Sequence, residues 1–279
     1  MKEVNLKEIR TLALLVASFV LPLGAGSLKI ELRATGGLGR IDGGDLHTRL
    51  ANLGSYWQAF AELPGSPYVF TGKTGFSFRS AAEGVVEIGL RLNDRLSLSL
   101  GAGYIRATRR SGEDVALRLI APDSGSEYIY TVGSTVRAIP VTATGRYSLP
   151  LSGRQRLSLQ AGAGIYPCRW TMPWDYRVST EAGTLLNHID YTATATGIGL
   201  HGGLGWEIDL SRRLSLVVEA LGRLAVIDGF SGSLESSSSQ TGEHTGTGRL
   251  YFWEWYNNDT AGWYPTIDMF DREPAPAGK

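Results

Sequence analysis

Cysteine is all but missing from this chain: Cys168 is the only one among 279 residues. A lone thiol cannot staple a fold, and it cannot assemble a cysteine-based zinc cage. Net charge is missing too, because 27 Lys and Arg residues balance 27 Asp and Glu residues. That balance excludes nucleic acid as a partner, which requires a basic face to displace counterions from phosphates. Long apolar runs are also lacking. The one sustained example, Thr11 to Leu23 (TLALLVASFVLPL), is too short to cross a bilayer as a helix, which needs about 20 residues. Any insertion into a membrane must therefore be made by strands.

The same short run has another use. Lys2, Lys7 and Arg10 make a basic start, diluted by Glu3 and Glu8, and Gly24-Ala25-Gly26-Ser27 follows as a small-residue exit. These are the three parts of a secretory signal peptide. Residues 1–27 are expected to be removed on export, with the cut after Ser27. The competing reading, a buried N-terminal helix, finds no partner later in the sequence.

What the chain does have is glycine, 36 residues of it, and alternation. From Leu28 to Thr35 apolar and polar residues alternate, putting one kind on each face of a strand. The pattern returns at 86–92, 96–104, 139–149, 157–165, 198–208 and 214–226. Three of these runs begin with one motif: Arg95-Leu96-Ser97-Leu98, Arg156-Leu157-Ser158-Leu159 and Arg213-Leu214-Ser215-Leu216. Such recurrence marks a repeated hairpin. Short turns follow the second, fourth and sixth strands. Long segments follow the others, at 40–79, 109–133, 169–190 and from Asp228 onward. Short turns at one end and long loops at the other predict an all-β fold, an antiparallel up-and-down transmembrane β-barrel. Residues 28–279 form that barrel with long extracellular loops.

A strand in hydrocarbon needs an apolar outer face and tolerates a polar inner one. The apolar set (Ile30, Ile88, Leu98, Leu159, Leu200 and their neighbours) is assigned to lipid. The opposite parity carries Glu31, Arg33, Glu87, Arg91, Arg146, His201, Glu207, Glu219 and Arg223, with Lys29, Arg95 and Gln160. Both signs occur, so these side chains are expected to pair across a narrow interior and fill it. Inward glycines, among them Gly101, Gly162 and Gly205, would leave room for them; a ligand cavity or narrow channel is the alternative use of that space. Seven strands are found, whereas such barrels close with an even number, so eight are expected. The closing strand either lies beyond Lys279 or is Arg249 to Tyr256; the Pro-rich tail that follows favours the first.

The segments Gly101-Ala102-Gly103-Tyr104, Ala138-Ile139-Pro140-Val141-Thr142, Tyr147-Ser148-Leu149-Pro150-Leu151 and Gly197 to Glu207 carry a resemblance. They resemble the small bacterial outer-membrane β-barrel domain family, of the opacity-protein and outer-membrane protein W type. The likeness covers Leu28 to about Gly232. It implies a fold and a compartment, the bacterial outer membrane, more than an activity. The partners it implies are outer-membrane lipid, periplasmic chaperones and the barrel-assembly machinery. Such barrels usually end on an aromatic residue, and this chain ends on Lys279.

Chemistry-bearing motifs are few. Gly197-Ile198-Gly199-Leu200-His201-Gly202 has a dinucleotide-loop spelling but lies inside a strand, with no helix to hold a pyrophosphate. His201 and Glu207 share a face, yet no Ser sits beside His201 to complete a hydrolase. His47, His188 and His244 fall in separate loops without ligand spacing, and Asp42-Gly43-Gly44-Asp45 lacks calcium-loop ligands. No enzyme, cofactor or metal is expected. Leu46, Leu50, Leu53, Trp57 and Phe60 form a helical stripe between Asp45 and Leu63-Pro64-Gly65, either packed on the rim or offered as a binding surface. Trp253 and Trp255 lie in an aromatic cluster that could meet a ligand, or mark where strands leave the outer leaflet. The expected role is structural or surface-recognition, through the long loops. A small porin-like channel is the alternative, with an outer-membrane lipid hydrolase as an outsider.

Overall fold

Alternation of side chains across a pleated backbone is realised almost everywhere in the structure, a computed structural model. It describes residues 2–3, 11–23, 29–41, 55–72, 80–110, 117–122, 124–212, 214–257 and 262–270. Its elements in chain order are β1 (Lys2–Glu3), β2 (Thr11–Leu23), β3 (Lys29–Arg40) and a helix α1 over 55–61. Next come β4 (Val69–Thr71), β5 (Ala81–Arg91), β6 (Leu96–Arg110), β7 (Leu117–Ala121), β8 (Ser126–Ala138) and β9 (Val141–Ser152). The last are β10 (Gln155–Thr180), β11 (Gly183–Asp209), β12 (Ser215–Val226), β13 (Ser231–Ser238), β14 (Gly242–Asn257) and β15 (Gly262–Phe270). The all-β class read from the sequence is what the structure has.

Every pairing is antiparallel. Strands β3, β5, β6, β9, β10, β11 and β12 pair in that order, and β2 pairs with both β12 and β3. Strands β8 and β9 act as one long strand, since each pairs with both β6 and β10. The interruption falls at Ile139-Pro140, where proline has no N–H to give. Carbonyls carry the ladder across it: Gly103 N donates to Pro140 O and Ile139 N to Pro167 O, both at 2.9 Å.

Short connections lie at one end. Asn93 Oδ1 accepts from the backbone N–H groups of Arg95 and Leu96, each at 2.8 Å, and so tightens the β5–β6 turn. Arg95 sits in that turn and is exposed, which corrects its assignment to the inner face. At the opposite end the expectation of loops is also corrected. Residues 169–190 form no loop: β10 and β11, 26 and 27 residues long, stay paired from Gln155↔Ile208 to Thr180↔Gly183. Around them β8, β7 and β4 are added on one side and β13, β14 and β15 on the other.

Arg249 to Tyr256 lies in β14, paired with β13 and β15, so it is not the strand between β12 and β3. Thr11–Leu23 stands there instead, the segment whose composition reads as a signal peptide.

Candidate functional site

The buried face of the sheet changes chemistry along its length. Toward the short turns it is ionic. Arg33 is 3% exposed, Glu207 3% and Arg146 4%, so each charge needs a partner to be tolerated there. Arg33 pairs with Glu219, and its Nε lies 4.0 Å from Glu87. Arg146 Nη2 donates to Glu87 Oε2 at 3.0 Å and to Gln160 Oε1 at 2.8 Å, and stands 4.0 Å from Glu219. Arg91 pairs with Glu31, and Arg223 with Glu83. Arg156 Nη2 donates to Glu207 at 2.9 Å and to Asp209 at 2.5 Å. Arg33–Glu219 and Arg223–Glu83 join strands that are not neighbours, so the sheet curls with this face inward.

All nine inner residues read from the sequence lie in or beside this network: Glu31, Arg33, Glu87, Arg91, Arg146, His201, Glu207, Glu219 and Arg223. Sequence reading missed Glu83, Arg156 and Asp209. Glu83 was legible, since it shares parity with Val85 and Glu87, but the alternation read from Val86 starts five residues after β5 does. Glycine leaves the room these side chains use. A Cβ at Gly162 would stand 2.5 Å from His201 Cε1, and one at Gly101 2.9 Å from Glu87 Cγ.

His201 Nε2 meets Thr144 Oγ1 at 2.9 Å, and Thr144 in turn reaches Glu87 at 3.5 Å. A hydroxyl, an imidazole and a carboxylate are the parts of an acyl-transfer triad, but here the hydroxyl rather than the imidazole stands between the other two, and such a site must also be open to substrate. The space left beside Thr144, Glu87, Gln160 and His201 is about 20 Å³, room for about one water.

Toward the long end the same face turns apolar. Tyr166, Cys168, Trp170 and Met172 follow one another at alternate positions of β10 and pack with Ile105, Val136, Ala193, Ile227 and Phe230. Trp170 Nε1 donates to Ser134 Oγ at 2.9 Å, so its polar edge is satisfied. Helix α1 lies over this core. The Trp57 ring stacks on Tyr130 at 4.7 Å, Tyr130 stacks on Tyr176 at 4.6 Å, and Phe60 meets Tyr68 at 5.5 Å. Burial raises the Tyr130 hydroxyl above its ordinary pKa. Residues 42–54, the first part of the expected helical stripe, lie outside the described residues. Trp253 and Trp255 sit on β14 in register with Thr266 and Tyr264; their side chains also lie outside the described set.

The exposed face runs the other way. Beside the ionic network it carries Ile88, Leu98, Leu100, Ile198, Leu200 and Leu224, with Ile198 72% and Leu100 70% exposed. Beside the apolar core it carries Arg106, Arg169, Thr194 and Asp175. Farther out, His188 bridges Asp175 at 2.6 Å and Asp190 at 2.9 Å. Hydrogen bonding to Asp175, then Asp190, raises its pKa above the ordinary imidazole value. Comparison with known proteins adds nothing to this geometry: no family model, curated protein or solved structure matches the chain.

Proposed function

We propose that the chain is an integral β-barrel protein of the bacterial outer membrane with a filled interior. It carries a surface platform built from β7, β8, β13, β14 and the outer halves of β10 and β11. Its role is anchoring and surface recognition rather than catalysis or conduction.

The observation that carries this reading is the reversal of polarity at one level. In register across the sheet stand Ala34, Val86, Ala102, Val141, Ile165, Ile198 and Val226, all on the exposed face. Below this row the exposed parity is apolar, and the buried one holds the charged residues among Gly, Ser and Thr. Above it, past Leu38, Tyr104 and Ile139, the exposed parity carries Arg, Thr and Asp, and the buried one, beyond Glu83, turns to Trp, Met, Ala and Ile. A water-soluble barrel has no cause to reverse its faces. A barrel leaving hydrocarbon must do so, because the medium outside it changes while its centre stays shielded. The apolar stretches Leu96–Tyr104, Leu157–Ile165 and Ile198–Ile208 have the length of about 9–11 residues that tilted strands need to cross a bilayer.

Export through a signal peptide at 1–27 belongs to the same proposal, as does kinship with opacity-protein and outer-membrane protein W type barrels. Refolding into lipid vesicles tests the membrane assignment. Ile88→Arg is expected to cost about 2–4 kcal/mol of folding stability, as arginine does near the midplane. Thr245→Arg, on the same exposed parity but beyond the reversal, is expected to change it by less than about 0.5 kcal/mol. Equal tolerance at the two positions would refute a lipid-facing Ile88.

A further inference from the structure

Two residues beyond Tyr104 on β6 the exposed face meets a row of arginines. The pairings put Arg106 of β6 opposite Arg137 of β8, and Arg137 opposite Arg169 of β10. Arg169 is then in register with Thr194, Thr194 with Ser231, and Ser231 with Arg249. Arg106 and Arg169 are exposed and Arg137 is half-buried.

Like charges directly opposite one another on adjacent strands repel, and a sheet gains nothing by repeating them over three strands. None of Arg106, Arg137 and Arg169 has a described carboxylate within salt-bridge distance. The ion pairs on this face, Glu127 with Arg177 at 3.6 Å and with Arg118 at 3.9 Å and His188 with its two aspartates, lie nearer the outer end. Within the row, Arg137 Nε is buried with no described partner, and Arg106 Nε reaches only Thr108 Oγ1, at 3.3 Å. The next row outward is hydroxylic, with Thr108, Thr135, Thr171 and Thr192 in register.

We infer that this row is a binding site for the phosphates of anionic lipid headgroups in the outer leaflet. The inference rests on the membrane assignment above, which sets the level. The row stands four residues, about 13 Å along the strands, beyond the last wholly apolar row, where headgroups begin. Guanidinium forks bind phosphate oxygens in pairs, and the neighbouring hydroxyls supply further donors. A phosphate over each pair of arginines converts the mutual repulsion into shared attraction.

The test uses the full chain refolded into phosphatidylcholine nanodiscs, alone or with one-tenth phosphatidic acid as the phosphate-bearing probe. Native mass spectrometry after detergent release counts the lipids retained. Wild type is expected to retain phosphatidic acid well above its share of the bilayer, and less as NaCl rises. The triple variant Arg106→Gln, Arg137→Gln, Arg169→Gln is expected to lose that preference by on the order of a hundredfold, about fivefold for each arginine. Heat-modified gel mobility in pure phosphatidylcholine reports folding separately. If wild type fails there, the membrane assignment fails; if it folds but shows no preference, or one insensitive to salt, the lipid site alone is overturned. Should the triple variant not fold, single Arg137→Gln is read the same way. Full displacement of phosphatidic acid by millimolar inorganic phosphate would assign the row to a soluble anion and overturn the lipid headgroup.

Discussion

Gly162 separates two demands that meet at one backbone position. Its missing side chain lets the His201 ring lie across β10, where a Cβ would fall within contact distance of both that ring and the Ala143 carbonyl. Gly145, on the exposed face, has its nearest neighbours at 3.8 Å, an ordinary contact. Gly162→Ala is therefore expected to destabilise by about 1–3 kcal/mol, the usual cost of overpacking, and Gly145→Ala by much less. Urea unfolding of the two variants from vesicles measures the difference. Equal losses would mean that the network does not depend on this gap. The ionic residues themselves were readable because alternate positions of mixed sign admit few other arrangements. Their partners were not: nothing in the sequence says that Arg146 rather than Arg223 reaches Glu87, a choice made by strand stagger.

Among the elements, legibility followed the side-chain pattern. Strands were found wherever an apolar residue recurs at every second position, as in β6 and the lower half of β11. The outer halves of β10 and β11 keep the same period, but the apolar parity shifts to Tyr166, Trp170 and Met172. A search for one continuous outward stripe ends there and reads a loop. Strand β13 was missed for another reason, since Ser231 to Ser238 is nearly all small and polar. Strand β2 is the reverse case. It has apolar residues at both parities, Val16 and Val20 as well as Phe19 and Leu21, so nothing in it separates a lipid face from a polar face. Val20 is in register with Arg33 and Val16 with Glu219, apolar residues at the level of the ionic network. A signal peptide needs only the summed hydrophobicity that this segment has. Mass spectrometry of the exported protein is expected to find Leu28 at its N-terminus. Retention of Met1 to Leu23 in the membrane-inserted protein would instead make β2 a permanent member of the sheet.

For the whole molecule the question is whether anything passes through. Two different seals lie in series, an ionic one around Arg33, Glu87, Arg146 and Glu219 and an apolar one around Trp170, Met172, Ile227 and Phe230. An ion entering the first must break paired charges, and at the second it would have to shed its water among hydrocarbon side chains. Planar-bilayer recordings of the refolded protein are expected to register no steady conductance. Long-lived openings would return the channel reading to first place.

If the chain spans the outer membrane as proposed, the reversal of the two faces also acts as a depth gauge. Pushed inward by two residues, the molecule would carry Tyr104 and Ile139 into the hydrocarbon and bring the guanidinium groups of Arg106, Arg137 and Arg169 to its border. Lifted outward by the same step, it would bare Val86, Val141 and Ile198 to water. Arginine costs about 0–1 kcal/mol near the interface and about 2–4 kcal/mol at the midplane, so the penalty steepens with every step inward. Vertical drift and tilt are restrained from both directions on several strands at once. On the proposed membrane assignment, helix α1 and the outer sheet would thus be held at a set height above the bilayer, a rigid pier rather than a float.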